Sequence, residues 1–288
     1  MRKIWGRDFM VHNELAETFH NNQYGGRKGR LPTSAILNKV ITLDIIWYYG
    51  DDMAIVDNDA KACYDRVIPY VTLYMLRRLG MPIFLSQFMC NVLNNMTYSI
   101  KTGTGNVTTY NANENRLFGT GQGAGWLPPC WAANSDVIST VMERYTPGML
   151  LEHPNRSTQS HRHIDVFVDD SSLGITKTAY DKFNPKPADP VPKGKDLYEQ
   201  AQLNTQFYSR LLFTTGGLLA IHKCIAYILL FEWINGVKRM KKVKHTIYKW
   251  LEMLRHQKEA AQQRKQHEDS NRISAQPITR WCDRDSGM

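Results

Sequence analysis

Two short apolar runs in this chain deliver acidic residues at their ends, and that repetition constrains the fold more than any other feature. In the stretch from His163 to Thr176 (HIDVFVDDSSLGIT), Ile164, Val166 and Val168 alternate with Asp165 and Phe167. Asp169 and Asp170 follow side by side, and Leu173 and Ile175 then resume an apolar strand. The spacing predicts a β-hairpin with carboxylates at its tip. Earlier, Met53 to Val56 leads into Asp57 and Asp59 and then into a helical pattern carrying Tyr64, Val67 and Tyr70. A lone aspartate in a turn is ordinary turn chemistry, because its side chain bonds nearby backbone groups. Two strand ends that both carry carboxylates are different. Packed like charges are costly until a cation neutralises them, and hard oxygen donors suit a divalent metal doing phosphoryl transfer.

The residues around these ends carry a resemblance. DAKACYD (Asp59 to Asp65) and FVDD (Phe167 to Asp170) resemble two palm motifs of reverse transcriptases, the A motif and the aromatic-x-Asp-Asp box. GTGQGAGWLPP (Gly119 to Pro129) is similar to the Gln-Gly loop that opens the palm's B helix, and GGLLAIHKC (Gly216 to Cys224) to the lysine-bearing D motif. QYGGRKGR (Gln23 to Arg30) resembles the stretch that precedes the palm in retroelement polymerases. The five fall in the family's order across roughly residues 7 to 236, and the likeness is to reverse transcriptase domains of eukaryotic retrotransposons.

The fold this resemblance implies is α+β: a right-hand polymerase palm, an antiparallel sheet with helices on one face, with partial fingers and a truncated helical thumb. Residues 1–52 would be partial fingers and 53–236 the palm, with fingers-type helices at 67–115 and a Pro-Lys insertion near 182–195. Residues 237–266 would form a basic thumb-like helix and 267–288 a disordered tail. The implied activity is RNA-directed DNA synthesis with two Mg²⁺ ions, or Mn²⁺ in their place. Asp59, Asp169 and Asp170 would hold the metals together with the Ala60 carbonyl, and Lys223 would protonate the leaving pyrophosphate. Tyr64 stands at the family's steric-gate position, and Gln122, Gly123, Arg27 and Arg30 would contact the nucleotide. Lys238, Arg239, Lys241, Lys242 and Lys244 would grip nucleic acid. The implied partners are an RNA template with a DNA primer and deoxynucleoside triphosphates. Family members commonly carry a small residue before the proline that opens the B helix, whereas this chain has Trp126 and Leu127. With 22 residues ahead of Gln23, a fingers hairpin that clamps the triphosphate is expected to be mostly absent. Two further readings use the same residues: a nucleic-acid-binding relic of such an enzyme, or another palm nucleotidyltransferase such as a cyclase or an RNA-dependent RNA polymerase.

Composition sets limits only. A chain of 288 residues, 42% hydrophobic, can bury a core, and a net charge of +9 fits a polyanionic partner. Five cysteines without CxxC spacing indicate neither a disulfide framework nor a zinc site, so a reduced, intracellular location in cytoplasm or nucleus is expected, without secretion. No apolar run approaches ~20 residues, which argues against a membrane span. Helical periodicity predicts helices over 9–19, 32–49, 67–79, 83–93, 126–145 and 197–213, with Ile36, Val40, Leu43 and Trp47 as the buried side of the second. A hairpin is predicted at 98–101 and 107–110, a polar loop over 146–161, and a strand over 225–231. The run from Lys238 to Lys265, ten basic residues against two glutamates, reads as one helix.

Overall fold

A computed structural model describes residues 2–61, 63–95, 97–98, 101–106, 110–111, 126–153, 155, 158–185 and 194–241. Its elements run in the order α1 (Arg2–Leu15), α2 (Pro32–Tyr49), β1 (Met53–Asp59), α3 (Cys63–Arg66), α4 (Pro69–Arg78) and α5 (Ile83–Asn94). Two short ladders follow, β2 (Thr97–Tyr98) with β5 (Tyr110–Asn111) and β3 (Lys101–Thr102) with β4 (Gly105–Asn106). Then come α6 (Leu127–Tyr145), β6 (Met149–Glu152), β7 (Gln159–Arg162), β8 (Ile164–Phe167), β9 (Asp170–Thr176), α7 (Lys177–Phe183) and α8 (Lys195–Thr214). The described part closes with β10 (Ile225–Leu229), β11 (Phe231–Ile234) and β12 (Val237–Met240). The fold is therefore mixed, helices around an antiparallel sheet ordered β10-β1-β9-β8.

Side chains alternate across each strand, and cross-strand partners share a face, so the register divides the sheet cleanly. One face carries Ala54, Val56 and Asn58 of β1 beside Ile175, Leu173 and Ser171 of β9. Helix α8 packs here, with Leu197, Ala201, Tyr208 and Leu212 among its buried residues. The other face carries Met53, Ile55, Asp57 and Asp59 beside Thr176, Gly174, Ser172 and Asp170. Its apolar half is covered by Ile46 of α2, by Met149 and Leu151 of β6, and by Phe231. Where the cover stops, the sequence turns acidic. The expectation of helices on one face alone is thus corrected: α2 lies over part of the second face.

Several sequence expectations move for identifiable reasons. Helix α1 stops at Leu15, and Phe19 packs into the core after a turn with Glu17 at φ 50°. The predicted helix over 67–79 is present as α4 but starts two residues later, because Pro69 holds Ile68 extended, at φ −81° and ψ 114°. The supposed polar loop over 146–161 contains the β6–β7 ribbon, made possible by three buried apolar residues, Met149 to Leu151. The apolar side of α2 is only partly as expected: Leu43 packs on the core beside the buried Thr42 and Ile46, while Ile36, Val40 and Trp47 are exposed. The basic run does not begin as a helix. Asn235 and Gly236 both adopt left-handed backbone, at φ 52° and 76°, which is the two-residue turn that folds β11 onto β12. Strand 225–231 accordingly splits at Leu230. The predicted hairpin at 98–110 matches the two short ladders in its paired ends, while 107–109, most of the Pro-Lys stretch (186–193) and everything after Lys241 lie outside the described residues. Among the described residues no helix is long and apolar enough to cross a membrane, and Cys63, Cys90, Cys130 and Cys224 are buried and in no disulfide.

Gly216 shows how tightly the acidic end of β1 is supported. Its φ is 95°, and a Cβ there would sit 2.1 Å from the Arg66 carbonyl oxygen. Gly80, at φ 86°, has nothing within 4 Å. Gly80→Ala should cost about 1–2 kcal/mol, the left-handed penalty alone. Gly216→Ala should exceed that by about 1–3 kcal/mol because backbone must also move. Urea unfolding of both variants measures the difference, and equal costs would contradict this packing.

Candidate functional site

Asp59 is the last residue of β1 and lies directly opposite Asp170, the first residue of β9. The intervening turn is held from three sides. Val168 takes a left-handed conformation, φ 56°, that a β-branched residue adopts only when its surroundings enforce it. Its carbonyl accepts a hydrogen bond from the Trp131 indole of α6. Gly25 lies so close that a Cβ there would meet the Val168 amide nitrogen at 2.4 Å. The Ala60 amide, just past Asp59, donates to the Asp169 carbonyl at 2.9 Å, tying the two acidic ends together through backbone.

Lys223 arrives from the neighbouring segment. Lys61 donates to Leu218 at 2.7 Å and Ala220 donates to the Asp59 carbonyl at 2.8 Å, which pins residues 218–220 along the end of β1. The Lys223 ammonium then reaches the Asp59 carboxylate at 3.0 Å. That bond and the charge of Asp59 raise the Lys223 pKa, with Asp169 and Asp170 adding to the effect. Burial, Asp169 and Asp59 together raise the Asp170 carboxyl above its usual range, while Lys223 pulls the other way. A cleft of about 500 Å³ opens over this face, walled by Pro32, Ala35 and Ile36 of α2.

Asp57, the local rival to Asp59, is already committed. Lys39 donates to both of its oxygens at 2.6 Å, and the Ser172 hydroxyl donates at 2.5 Å. Tyr64 is half-buried on α3, its ring edge-on to Trp131 at 6.1 Å, and burial first, then Cys63 and Asp169, push its hydroxyl up to about 12. Trp126 and Leu127, the departure from the family pattern, are buried in the core formed by α1, α4, α5 and α6. Gln122, Gly123, Lys242 and Lys244 lie outside the described residues.

Two assignments are corrected. Arg27 is not placed for a nucleotide: its side chain is 5% exposed, with the guanidinium paired to both oxygens of Glu14 at 2.7 and 2.9 Å and donating to the His20 and Gln23 carbonyls. The glycine-rich stretch around it braces the acidic hairpin, since Tyr24 donates to the Val166 carbonyl and Val166 to that of Asn22. Arg30 stacks over the Tyr24 ring at 5.7 Å. Lys238 is spent on the C-terminal end of α2, donating to the Trp47 carbonyl and, at 2.7 Å, to that of Tyr48. Arg239 and Lys241 remain exposed. Sequence reading missed Trp131, Lys39 and Arg162. Only Trp131 left a trace, as a bulky residue near the start of a helix expected beside the site.

The donor set suits a divalent cation in chemistry and register: hard carboxylate oxygens from facing strand ends, one of them held above its usual pKa by burial and then by its acidic neighbours. As they stand, no three His, Cys, Asp or Glu side chains among the described residues converge closely enough to hold an ion, and Lys223 occupies Asp59. A cation would replace that contact.

No protein-family model matches the chain, and no curated protein matches it. Among solved structures, it is similar to an apo telomerase from Candida tropicalis truncated from its C-terminal domain, at 10% identity and a TM-score of 0.48, over 83% of this chain and 44% of that one. It is also similar to a telomerase from Candida albicans in complex with a TWJ fragment of telomeric RNA, at 13% identity and a TM-score of 0.46, over 85% and 38% of the two chains. The chain thus spans less than half the length of these structures. A likeness at this level carries no functional conclusion, which has to come from the residues.

Repulsion at the strand ends gives a test. A carboxyl whose pKa is raised on folding destabilises the protein above that pKa, and the penalty vanishes once both states are protonated. Asp170→Asn should therefore raise the melting temperature in EDTA at pH 7. The gain should shrink to nothing as the pH falls below the usual carboxylate range, about pH 4. A loss of stability at pH 7 would show that the charge is compensated.

Proposed function

We propose that this chain is a reverse-transcriptase-like nucleotidyltransferase domain that extends a DNA primer on an RNA template. The observation that carries the reading is the direct cross-strand pairing of Asp59 with Asp170, beside Asp169 and within reach of Lys223. The order of the five motifs along the chain supports it further.

In this reading Asp59, Asp169 and Asp170, with the Ala60 carbonyl, would hold two Mg²⁺ or Mn²⁺ ions. Such ions lower the pKa of a primer hydroxyl and offset the charge of a triphosphate. The chain's own part is positioning. The braced Val168 turn and the Ala60–Asp169 hydrogen bond fix the spacing of the carboxylates, which matters because phosphoryl transfer depends on alignment and charge more than on covalent help. Lys223, released from Asp59, offers a proton to the departing pyrophosphate from an exposed ammonium. Tyr64 presents the exposed part of its ring as the floor under the sugar, where it would collide with a 2′-hydroxyl. Arg30, Arg239 and Lys241 supply phosphate contacts that do not depend on base identity. The bulky Trp126 and Leu127 do not argue against catalysis, since both side chains are in the core.

The deciding experiment is primer extension on poly(rA) with oligo(dT), Mg²⁺ and labelled dTTP. Extension is expected from the chain, and Asp59→Asn or Asp169→Asn should reduce it at least about 100-fold, since losing even an outer partner of a metal ligand typically costs 10- to 100-fold. Wild-type rates in either variant would overturn the proposal. Tyr64→Ala should raise UTP incorporation relative to dTTP, and an unchanged ratio would remove Tyr64 from the sugar site. A chain that binds the hybrid with a steep salt dependence yet extends nothing, even with its strand-end carboxylates intact, would favour the binding-relic reading instead.

A further inference from the structure

The acidic face of the sheet carries more carboxylates than the polymerase reading uses. Asp57 and Asp59 of β1, Asp165 of β8 and Asp170 of β9 all project from it, by the register of the three strands. Three of them are matched by a cation from a different element, and the matches differ in kind. Asp165 is bound by Arg162 at 2.5 Å, and that guanidinium is also fixed to the Thr42 hydroxyl at 2.7 Å and the Asn38 carbonyl at 3.3 Å. Asp57 is bound by Lys39 through both oxygens, and Ser172 takes a second position on one of them. Asp59 is bound by Lys223 through one oxygen only. Exposure follows the same order: 11% for the Arg162 side chain, 33% for Lys39 and 58% for Lys223. Two of the contacts are therefore locked and the third is open to exchange.

Asp57 needs such a lock. It lies two residues before Asp59 on the same face, about 7 Å away along the strand, a span that one cation and its waters can bridge. Its charge is also felt at Asp170. An ion held between Asp57 and Asp59 would sit down the strand from the tip, under the wall formed by the N-terminal half of α2, away from Asp169. We propose that Lys39 is a positioning residue which withholds Asp57 from divalent cations and so confines them to the strand tips at Asp59, Asp169 and Asp170. The inference rests on the polymerase reading for what those ions do there, but the withholding itself is a binding property and is measured without catalysis.

The test is Mn²⁺ binding to the full chain, followed by the electron paramagnetic resonance signal of the free ion. Lys39→Met exposes one additional carboxylate and removes one positive charge. It should bind Mn²⁺ on the order of tenfold more tightly, or take up one extra ion, the scale expected for a divalent ion about 7 Å from one unit charge when the interaction is screened as in water. Lys39→Arg keeps a two-point contact with Asp57 and should behave as wild type. The double variant Lys39→Met, Asp57→Asn removes mask and masked group together and should return the wild-type curve. Cooperative thermal melting checks that each variant is folded, and Lys39→Gln replaces Lys39→Met if the latter is not. Identical binding by wild type and Lys39→Met overturns the role of Lys39 and leaves the polymerase reading standing. Binding by Lys39→Met with none by wild type upholds Lys39 and overturns that reading's metal site. No binding by either overturns both.

Discussion

Everything at this site depends on one constraint, that two strands end side by side with a carboxylate each. Asp59 and Asp170 face one another across an antiparallel pair, where like charges directly opposite are destabilising. A sheet tolerates that arrangement only if its ends are held by something stronger than the local preference. Here the holding is done by backbone. The Ala60–Asp169 hydrogen bond, the strained Val168 with its Trp131 partner, the close approach of Gly25, and the pairing of residues 218–220 against the end of β1 all act on main-chain groups. Among the described residues the exposed Lys223 is paired with Asp59, a contact that a ligand can displace.

The same logic explains how one face of a small sheet can be both core and cleft. Along β1, Met53 and Ile55 give way to Asp57 and Asp59 at the same two-residue period, so the face changes character without changing conformation. Ile46, Met149, Leu151 and Phe231 cover the first pair and stop short of the second. Helix α2 contributes to both halves: Ile46 packs on the apolar end, and Lys39, two turns earlier, reaches the acidic end. Ile36, Val40 and Trp47 on the same helix remain exposed in part.

Much of this was legible in the sequence because it follows from strict periodicity. The alternation through Ile164, Val166 and Val168 and the paired aspartates gave the hairpin and its acidic tip, and Pro32 marked the start of α2 through the chemistry of helix ends. What escaped was set by long-range contact. Arg27 looked like a phosphate ligand because its neighbours are glycine and lysine, but Glu14, thirteen residues away, claims it. The basic run after Lys238 looked helical by composition, although Asn235 and Gly236 carried a readable hairpin signal that was passed over. The apolar residues of α2 are spread around the helix rather than gathered in one stripe, so periodicity had no means of choosing its buried side. Lys39 and Arg162 gave no sign, since a lone cation in sequence acquires meaning only from the carboxylate that folding brings to it.

The central claim is that the facing strand ends form a divalent-cation site. It is tested most directly by anomalous diffraction from crystals of the protein soaked in Mn²⁺, collected on either side of the manganese edge. The account predicts a peak about 2–2.6 Å from carboxylate oxygens of both Asp59 and Asp170, with Lys223 displaced from Asp59. Ordered Mn²⁺ elsewhere, or none while the Lys223–Asp59 contact persists, would contradict it.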